Sequence, residues 1–207
     1  NALDTRRKKG LKPFTGLSCD NLNQNGNKLK QAVLGIAKKR DLELSKWIEL
    51  YCSFPNSMVD CIVPRTGHVE KELVKNIGIE DAVPVVHENF RQWVIEDKFC
   101  AGRPNWEEVG VEFSSNVHGY EEQKIRILNG GHVIISNIAE LLGIKTIKEA
   151  MATKIVYGLF KKVEQEEIIP HVNAVPGLSP HQYFELISNR FSNPSIEDTV
   201  RRVAYDA

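Results

Sequence analysis

Three polar residues in one helical pattern could act together on a single small molecule. Lys124, Asn129 and His132 lie in a stretch whose apolar residues recur at helical spacing. At about 100° per residue, they fan over roughly 140° of one side of an α-helix, with His132 between the other two. This surface offers an ammonium, an amide and an imidazole to one polar ligand. The adjacent Gly130-Gly131 costs about 1 kcal/mol per glycine relative to alanine, which indicates close approach by a ligand or by another backbone.

The elements that position these residues change in kind along the chain. The part before about residue 116 is predicted to be mixed α/β, and the part after Val117 to be helical. The predicted strands are 13–19, a strand ending before Pro64, 83–86, 92–95 and 111–114. The predicted helices are 28–40, 41–51, 69–77, 117–142, 146–169, 179–190 and 195–206, with a Pro- and Gly-rich connection at 170–180.

Composition excludes several functional classes. The 207 residues carry 27 Lys+Arg and 27 Asp+Glu, so nothing indicates a nucleic-acid or membrane-surface partner. No apolar run approaches the ~18 residues of a membrane span, and the first residues lack the apolar core of a secretory signal. Four separated cysteines without Cys-x-x-Cys or His-Glu-x-x-His argue against a metal site and favour reduced thiols in the cytoplasm. Both ends fall inside helical patterns, so we expect a piece of a longer protein.

Five stretches follow one another in a characteristic order. They are Pro13-Phe-Thr-Gly-Leu-Ser-Cys-Asp-Asn21-Leu, Phe54-Pro-Asn-Ser-Met-Val-Asp60, Phe90-Arg-Gln-Trp-Val-Ile-Glu-Asp97, Lys124-x4-Asn129-x2-His132 and Arg190-Phe-Ser-Asn-Pro194. Together they resemble the long-chain mannitol dehydrogenase family, the metal-independent polyol dehydrogenases and hexuronate reductases. The resemblance runs nearly end to end, and its strength lies in the fixed order of the motifs.

The resemblance implies a fold and a cofactor. Residues 1–116 should be the C-terminal part of a Rossmann-type cofactor domain, and residues 117–207 a truncated helical substrate domain. The expected reaction interconverts a polyol and its ketose with NAD, leaving NADP open, without metal. The chain has no Gly-rich pyrophosphate turn, so cofactor-binding residues are unknown and the isolated chain is expected to be inactive. Cys61 stands where the family usually has arginine, which puts that residue's role in doubt.

The resemblance also implies roles for particular residues. Lys124 would be the general base, provided that burial or nearby positive charge lowers its pKa. Asn129 and Asn21 would donate hydrogen bonds to the developing oxyanion. His132 would bind and orient a substrate hydroxyl. Asp60 would accept hydrogen bonds from the polyol, and Arg202 would contact the far end of the substrate. Glu121 would either relay the proton from Lys124 to water or form an ordinary i,i+3 ion pair.

Several alternatives stay open at this point. Mannitol and fructose are the favoured pair on family frequency, with a hexuronate (fructuronate or tagaturonate) reductase as the alternative. If the 207 residues are the whole product, the chain would instead be a helical interaction module with a dead site. A third hypothesis takes Tyr120-x3-Lys124 as the Tyr/Lys pair of short-chain dehydrogenases. The expected partner is a small polyol or ketose, and the sequence does not decide between monomer and dimer.

Overall fold

Helices dominate the structure, a computed structural model that describes residues 1–206. In chain order the α-helices are α1 (Ala2–Lys8), α2 (Asn25–Arg40), α3 (Leu42–Tyr51), α4 (His68–Asn76), α5 (Val117–Gln123), α6 (Gly130–Leu141), α7 (Ile147–Ala152), α8 (Lys154–Val163), α9 (Pro180–Phe191) and α10 (Val200–Asp206). Two π-helices, Lys124–Asn129 and Glu164–Ile168, and two 3-10 helices, Trp106–Val109 and Ile169–His171, join some of them. The strands are β1 (Ser57–Asp60), β2 (Gln92–Ile95) and β3 (Glu112–Phe113).

Side-chain caps fix the start of several helices. The Asp41 carboxylate accepts hydrogen bonds from the backbone N–H groups of Glu43 and Leu44 at the start of α3. Capping boxes formed by Thr146 with Glu149, and by Ser179 with Gln182, open α7 and α9. These side chains satisfy backbone donors that a helix N-terminus leaves unpaired, so the local sequence determines where these helices begin.

The three strands form one sheet in the order β1-β2-β3. β2 and β3 are parallel, with Val94 opposite Glu112 and Ile95 opposite Phe113. Val94 and Ile95 are completely buried, in keeping with the central position of β2 in the sheet.

The chain divides into two compact units. The first contains residues 1–59 and 92–121 and the second residues 60–91 and 122–207. In the first unit, α2 and α3 pack around Ala37, Leu44, Ile48 and Cys52. In the second, helices from α6 onward enclose a larger core that includes Ile135, Phe160, Phe184 and Val200. The predicted fold class, a partial Rossmann-type domain followed by a helical part, is confirmed. The predicted boundary at 116/117 stays a prediction.

Two predicted strands are wrong. Residues 13–19 and 83–86 have no regular secondary structure. One backbone hydrogen bond, from the Gly16 N–H to the Ser53 carbonyl, does not make a β-ladder. The apolar residues at 13–19 therefore resemble a buried strand in sequence but have no strand to pair with.

Across residues 1–206, no helix is both long and apolar enough to cross a membrane. All four cysteines are free thiols.

Candidate functional site

The segment that carries Lys124 and Asn129 is a π-helix rather than an α-helix. The Gly130 N–H bonds to the Ile125 carbonyl, five residues back. A π-turn contains more residues than an α-turn, so residues five apart diverge less around its axis than in an α-helix. The predicted divergence of roughly 140° assumed α-helical spacing, which this segment does not have.

Burial distinguishes Lys124 from an ordinary helix lysine. Its side chain is 8% exposed, while its neighbour Arg126 points outward and pairs with Glu122 at 3.2 Å. Asn129 is half-buried. Burial in general makes it easier for a lysine to give up its proton. The role of Lys124 as the base stays a prediction.

His132, in the first turn of α6, is held by an aromatic neighbour. Its imidazole stacks on the ring of Phe191 with centroids 4.2 Å apart and planes 18° apart. Burial lowers the pKa of His132 to about 4; the carboxylates of Asp198 and Asp60 oppose the shift, and the guanidinium groups of Arg202 and Arg190 add to it. The imidazole is therefore neutral at neutral pH. A neutral imidazole carries one donor and one acceptor, which suits the binding of a hydroxyl group.

Asp60, the last residue of β1, lies in a buried charge network. Arg190 donates to both of its oxygens, at 2.7 and 2.8 Å, and the Tyr183 hydroxyl donates at 3.0 Å. Arg190 also bonds Glu88, whose Oε1 accepts from the Ile62 N–H at 2.7 Å. A carboxylate has about four lone-pair sites, so three are already used within the protein. The predicted role of Asp60 as an acceptor for a polyol stays a prediction, with one site left for it.

Arg202, on α10, is ion-paired with Asp198. Its Nε lies 2.8 Å from Asp198 Oδ1, and a second bond joins its terminal nitrogen to Oδ2. The residue lines a cavity of about 680 Å³ within the second unit. Because the charges of Arg202 and Asp60 both act on the His132 imidazole, these three predicted site residues share one neighbourhood.

Asn21 and Glu121 belong to the first unit. Asn21 is exposed in the bend before α2. Glu121 is buried; its Oε1 accepts from the Gln24 N–H at 3.1 Å, and its Oε2 lies 3.4 Å from Nδ1 of the exposed His118. This carboxylate has a neighbour in contact with solvent, as a proton relay requires, and the choice between relay and ion pair remains a prediction.

Sequence reasoning missed the residues that hold the site in place. Asn25 is buried and ties the bend containing Asn21 to β1, donating to the carbonyls of Ser18 and Ser57 at 3.2 and 2.9 Å. Arg190 was part of a recognised motif without an assigned role. One signal was available: Tyr183, Ile187 and Arg190 share the buried face of α9, and an arginine on such a face requires an anionic partner.

The Tyr120 environment argues against the short-chain dehydrogenase hypothesis. Burial, followed by the charge of Glu112, raises the pKa of the Tyr120 hydroxyl. A tyrosine that acts as the acid/base needs the opposite shift to work near neutral pH.

Comparison with known proteins identifies the family. The profile described as "Mannitol dehydrogenase Rossmann domain" matches residues 1–108, and "Mannitol dehydrogenase C-terminal domain" matches residues 116–207. The chain is 51% identical over 205 residues to a mannitol 2-dehydrogenase of Cereibacter sphaeroides, covering 99% of this chain and 43% of that protein. It is 41% identical over 206 residues to a polyol:NADP oxidoreductase of Gluconobacter oxydans (strain 621H), covering 99% and 42%.

Solved structures give the same result. A ternary complex of Pseudomonas fluorescens mannitol 2-dehydrogenase with NAD and D-mannitol superposes with a TM-score of 0.88 at 41% identity, covering 98% of this chain and 41% of that one. A substrate-free D-sorbitol dehydrogenase gives a TM-score of 0.90 at 41% identity, covering 98% and 42%. The chain thus spans about two fifths of the length of these relatives.

Proposed function

This chain belongs to the mannitol dehydrogenase family, and on that premise we propose that the complete protein interconverts a polyol and its ketose using NAD(H). The observation that supports the proposal most is the burial of Lys124 within a π-helical turn that also carries Asn129. Oxidation of a secondary alcohol requires a base for the hydroxyl proton and donors for the developing oxyanion. A lysine and an amide on one side of a helix are suited to provide them.

Lys124 takes the hydroxyl proton during oxidation and returns it during reduction. Its side chain is buried, and burial in general disfavours the charged form of a lysine. Glu121 passes the proton onward to solvent, and its contact with the exposed His118 supports that route.

Amide groups stabilise the oxyanion. Asn129, one π-turn after Lys124, donates to the oxygen from which the lysine removes the proton, and Asn21 supplies a second donor. An amide donates without titrating. The same donors therefore serve oxidation and reduction alike.

Three further residues bind the polyol. His132, a neutral imidazole, orients the reacting hydroxyl. Asp60 accepts a hydrogen bond through its remaining lone-pair site, and Arg202 contacts the far end of the substrate from the cavity of about 680 Å³.

A bound nicotinamide cofactor would supply the hydride acceptor, and none of the residues of this chain is assigned to its pyrophosphate site. The described sheet has three strands, and the sequence contains no Gly-rich turn between a strand and a helix. We assign no cofactor-binding residue. Within residues 1–206, no three His, Cys, Asp or Glu side chains are arranged to hold a metal ion, and we propose a metal-independent reaction in the cytoplasm.

A substrate and cofactor panel tests this function. The complete protein is incubated with mannitol, sorbitol and arabinitol, and in the reverse direction with fructose and hexuronates, while NAD(P)H absorbance is followed. We expect oxidation of mannitol with NAD as the fastest combination. Turnover with hexuronates alone would favour the reductase alternative. Activity that a chelator abolishes and zinc restores would contradict metal independence.

A further inference from the structure

The last turn of α9 contacts two predicted substrate-binding residues through two consecutive side chains. Arg190 holds the carboxylate of Asp60, and the next residue, Phe191, stacks on the imidazole of His132. Both α9 residues are buried. We propose that Phe191 and Arg190 are positioning residues of the substrate site: Phe191 fixes the plane of the His132 imidazole and excludes water from one face, and Arg190 fixes the orientation of Asp60. This inference rests on the proposed function.

The Phe191 ring has little freedom to move. A Cβ atom at Gly131 would lie 3.3 Å from the ring's Cε2 atom, so the glycine before His132 is what admits the ring against α6. On another side the ring of Phe160 lies at a centroid distance of 6.0 Å. A ring wedged between a helix backbone and a second aromatic ring provides a rigid platform, because side chains in close-packed interiors have few alternative rotamers.

A fixed plane limits where the imidazole can point its donor and acceptor. The outer torsion of histidine is broad when the ring is free, so an unsupported His132 would present its nitrogens in several directions. The stacked arrangement, with planes only 18° apart, restricts the nitrogens to one plane. A site that binds a substrate hydroxyl loses affinity when the hydrogen-bonding group that should meet this hydroxyl points in another direction.

The uncharged ring also covers one face of the half-buried imidazole. The charged groups that act on His132 are Asp60 on β1, Arg190 on α9, Asp198 before α10 and Arg202 on α10. Their effects oppose one another, and burial is the largest cause of the low His132 pKa. Removing the Phe191 ring would admit water and raise this pKa toward its ordinary value.

Arg190 acts on Asp60 through geometry as well as charge. Its planar guanidinium donates to both carboxylate oxygens and lies over the Phe90 ring at 4.1 Å. Lysine keeps the charge but cannot form two parallel bonds. Arg190→Lys is therefore expected to leave Asp60 paired but free to rotate.

The experiment compares Phe191→Leu with Phe160→Leu in the complete protein. Both rings are buried, and both would contact a Cβ atom at Gly131, but the ring stacked on His132 is that of Phe191. KM and kcat for the polyol are measured from mildly acid to mildly alkaline pH. For Phe191→Leu we expect a KM raised roughly tenfold or more and a new inflection on the acid side. Phe160→Leu leaves the stacked pair of Phe191 and His132 in place, so it should lower thermal stability and produce much smaller effects on KM and on the pH profile. Arg190→Lys should raise KM without the new inflection.

An NMR titration of the His132 imidazole separates failure of this inference from failure of the proposed function. The His132 pKa should rise from about 4 toward 6.5 in Phe191→Leu and stay low in Phe160→Leu, whether or not a polyol is turned over. Phe191→Met, which fills more of the space, gives the same test if the leucine variant does not fold. Equal KM values and equal titrations in the two single variants would overturn the proposal, even in an active enzyme.

Discussion

Arg190 and Asp60, 130 residues apart in sequence, form a buried two-point ion pair with N–O distances of 2.7 and 2.8 Å. Glu88 shares the same guanidinium. Removing Arg190 would leave two carboxylates buried without a cation, which costs about 3–5 kcal/mol. We expect Arg190→Met to lower the free energy of unfolding by this amount in urea titrations.

A combined variant tests whether the unpaired charges cause that loss. Adding Asp60→Asn and Glu88→Gln to Arg190→Met removes the charges and should recover part of the lost stability. A loss below about 1 kcal/mol for Arg190→Met, as in exposed ion pairs, would show that the network is not buried in solution.

Gly131 is predicted to tolerate no side chain. A Cβ atom there would lie 2.8 Å from Cε2 of Phe160, and overpacking of this kind costs about 1–3 kcal/mol. The matched control is Gly158→Ala in α8, where a Cβ atom meets nothing within 4 Å. That change should stabilise by roughly 0.5–1 kcal/mol. Thermal unfolding of the two variants checks the prediction, and equal melting temperatures would contradict the packing described around Gly131.

The sequence reveals the helices better than the site. Caps such as Asp41 and Ser179 are local signals, and the helices that they open begin where the pattern predicts. The π-turn at Lys124–Asn129 has no local signal, because the same residues also fit an α-helix. The cost of a glycine within a helix predicted that a ligand or another backbone approaches Gly131 closely. The groups that do so are aromatic rings, and they lie 29 residues or more away in sequence. The roles of Arg190 and Phe191 likewise depend on tertiary contacts.

Glu164 is predicted to make stability depend on pH. It is completely buried, and neither of its oxygens has a hydrogen-bond partner within residues 1–206. Burial raises its pKa from 4.5 to about 8. The folded state therefore holds this proton more tightly than the unfolded state, so its stabilising contribution is complete below pH 4.5 and is lost as the pH rises to about 8.

Glu164→Gln should remove this pH dependence. Relative to wild type, the variant should gain roughly 5 kcal/mol of unfolding free energy between the acid and alkaline ends of the window. Glu167→Gln, an exposed residue of the same π-helix, is the control and should leave the slope unchanged. The free energy of unfolding of all three proteins, measured at several pH values, tests this prediction. Parallel pH profiles for wild type and Glu164→Gln would mean that the carboxylate is hydrated.

Glu121 is predicted to carry protons rather than to hold the fold. Glu121→Gln keeps the shape of the side chain and one acceptor for the Gln24 N–H, so we expect stability to change by less than about 1 kcal/mol. Turnover should fall by roughly tenfold or more if proton transfer becomes limiting, with a larger solvent deuterium isotope effect. Unchanged turnover and isotope effect would leave Glu121 as a structural residue.

Alanine variants of Asn129 and of Lys124 are predicted to lose turnover for different reasons. Asn129→Ala should reduce turnover by about 10²–10³, the usual effect of one lost oxyanion donor. Small amines in the buffer should not restore it, since a missing donor at a fixed position is not a missing base. Its pH profile should keep the wild-type ionisation.

The turnover number of Lys124→Ala as a function of pH, with and without added small amines, tests the account most directly. Arg126→Ala is the control, because this cation lies two residues away and pairs with Glu122. We expect Lys124→Ala to lose about 10²–10⁴ in turnover, to lose the ionisation seen in wild type, and to recover partly with amines, while Arg126→Ala behaves like wild type. A Lys124→Ala enzyme that keeps both its rate and its ionisation would exclude Lys124 as the base.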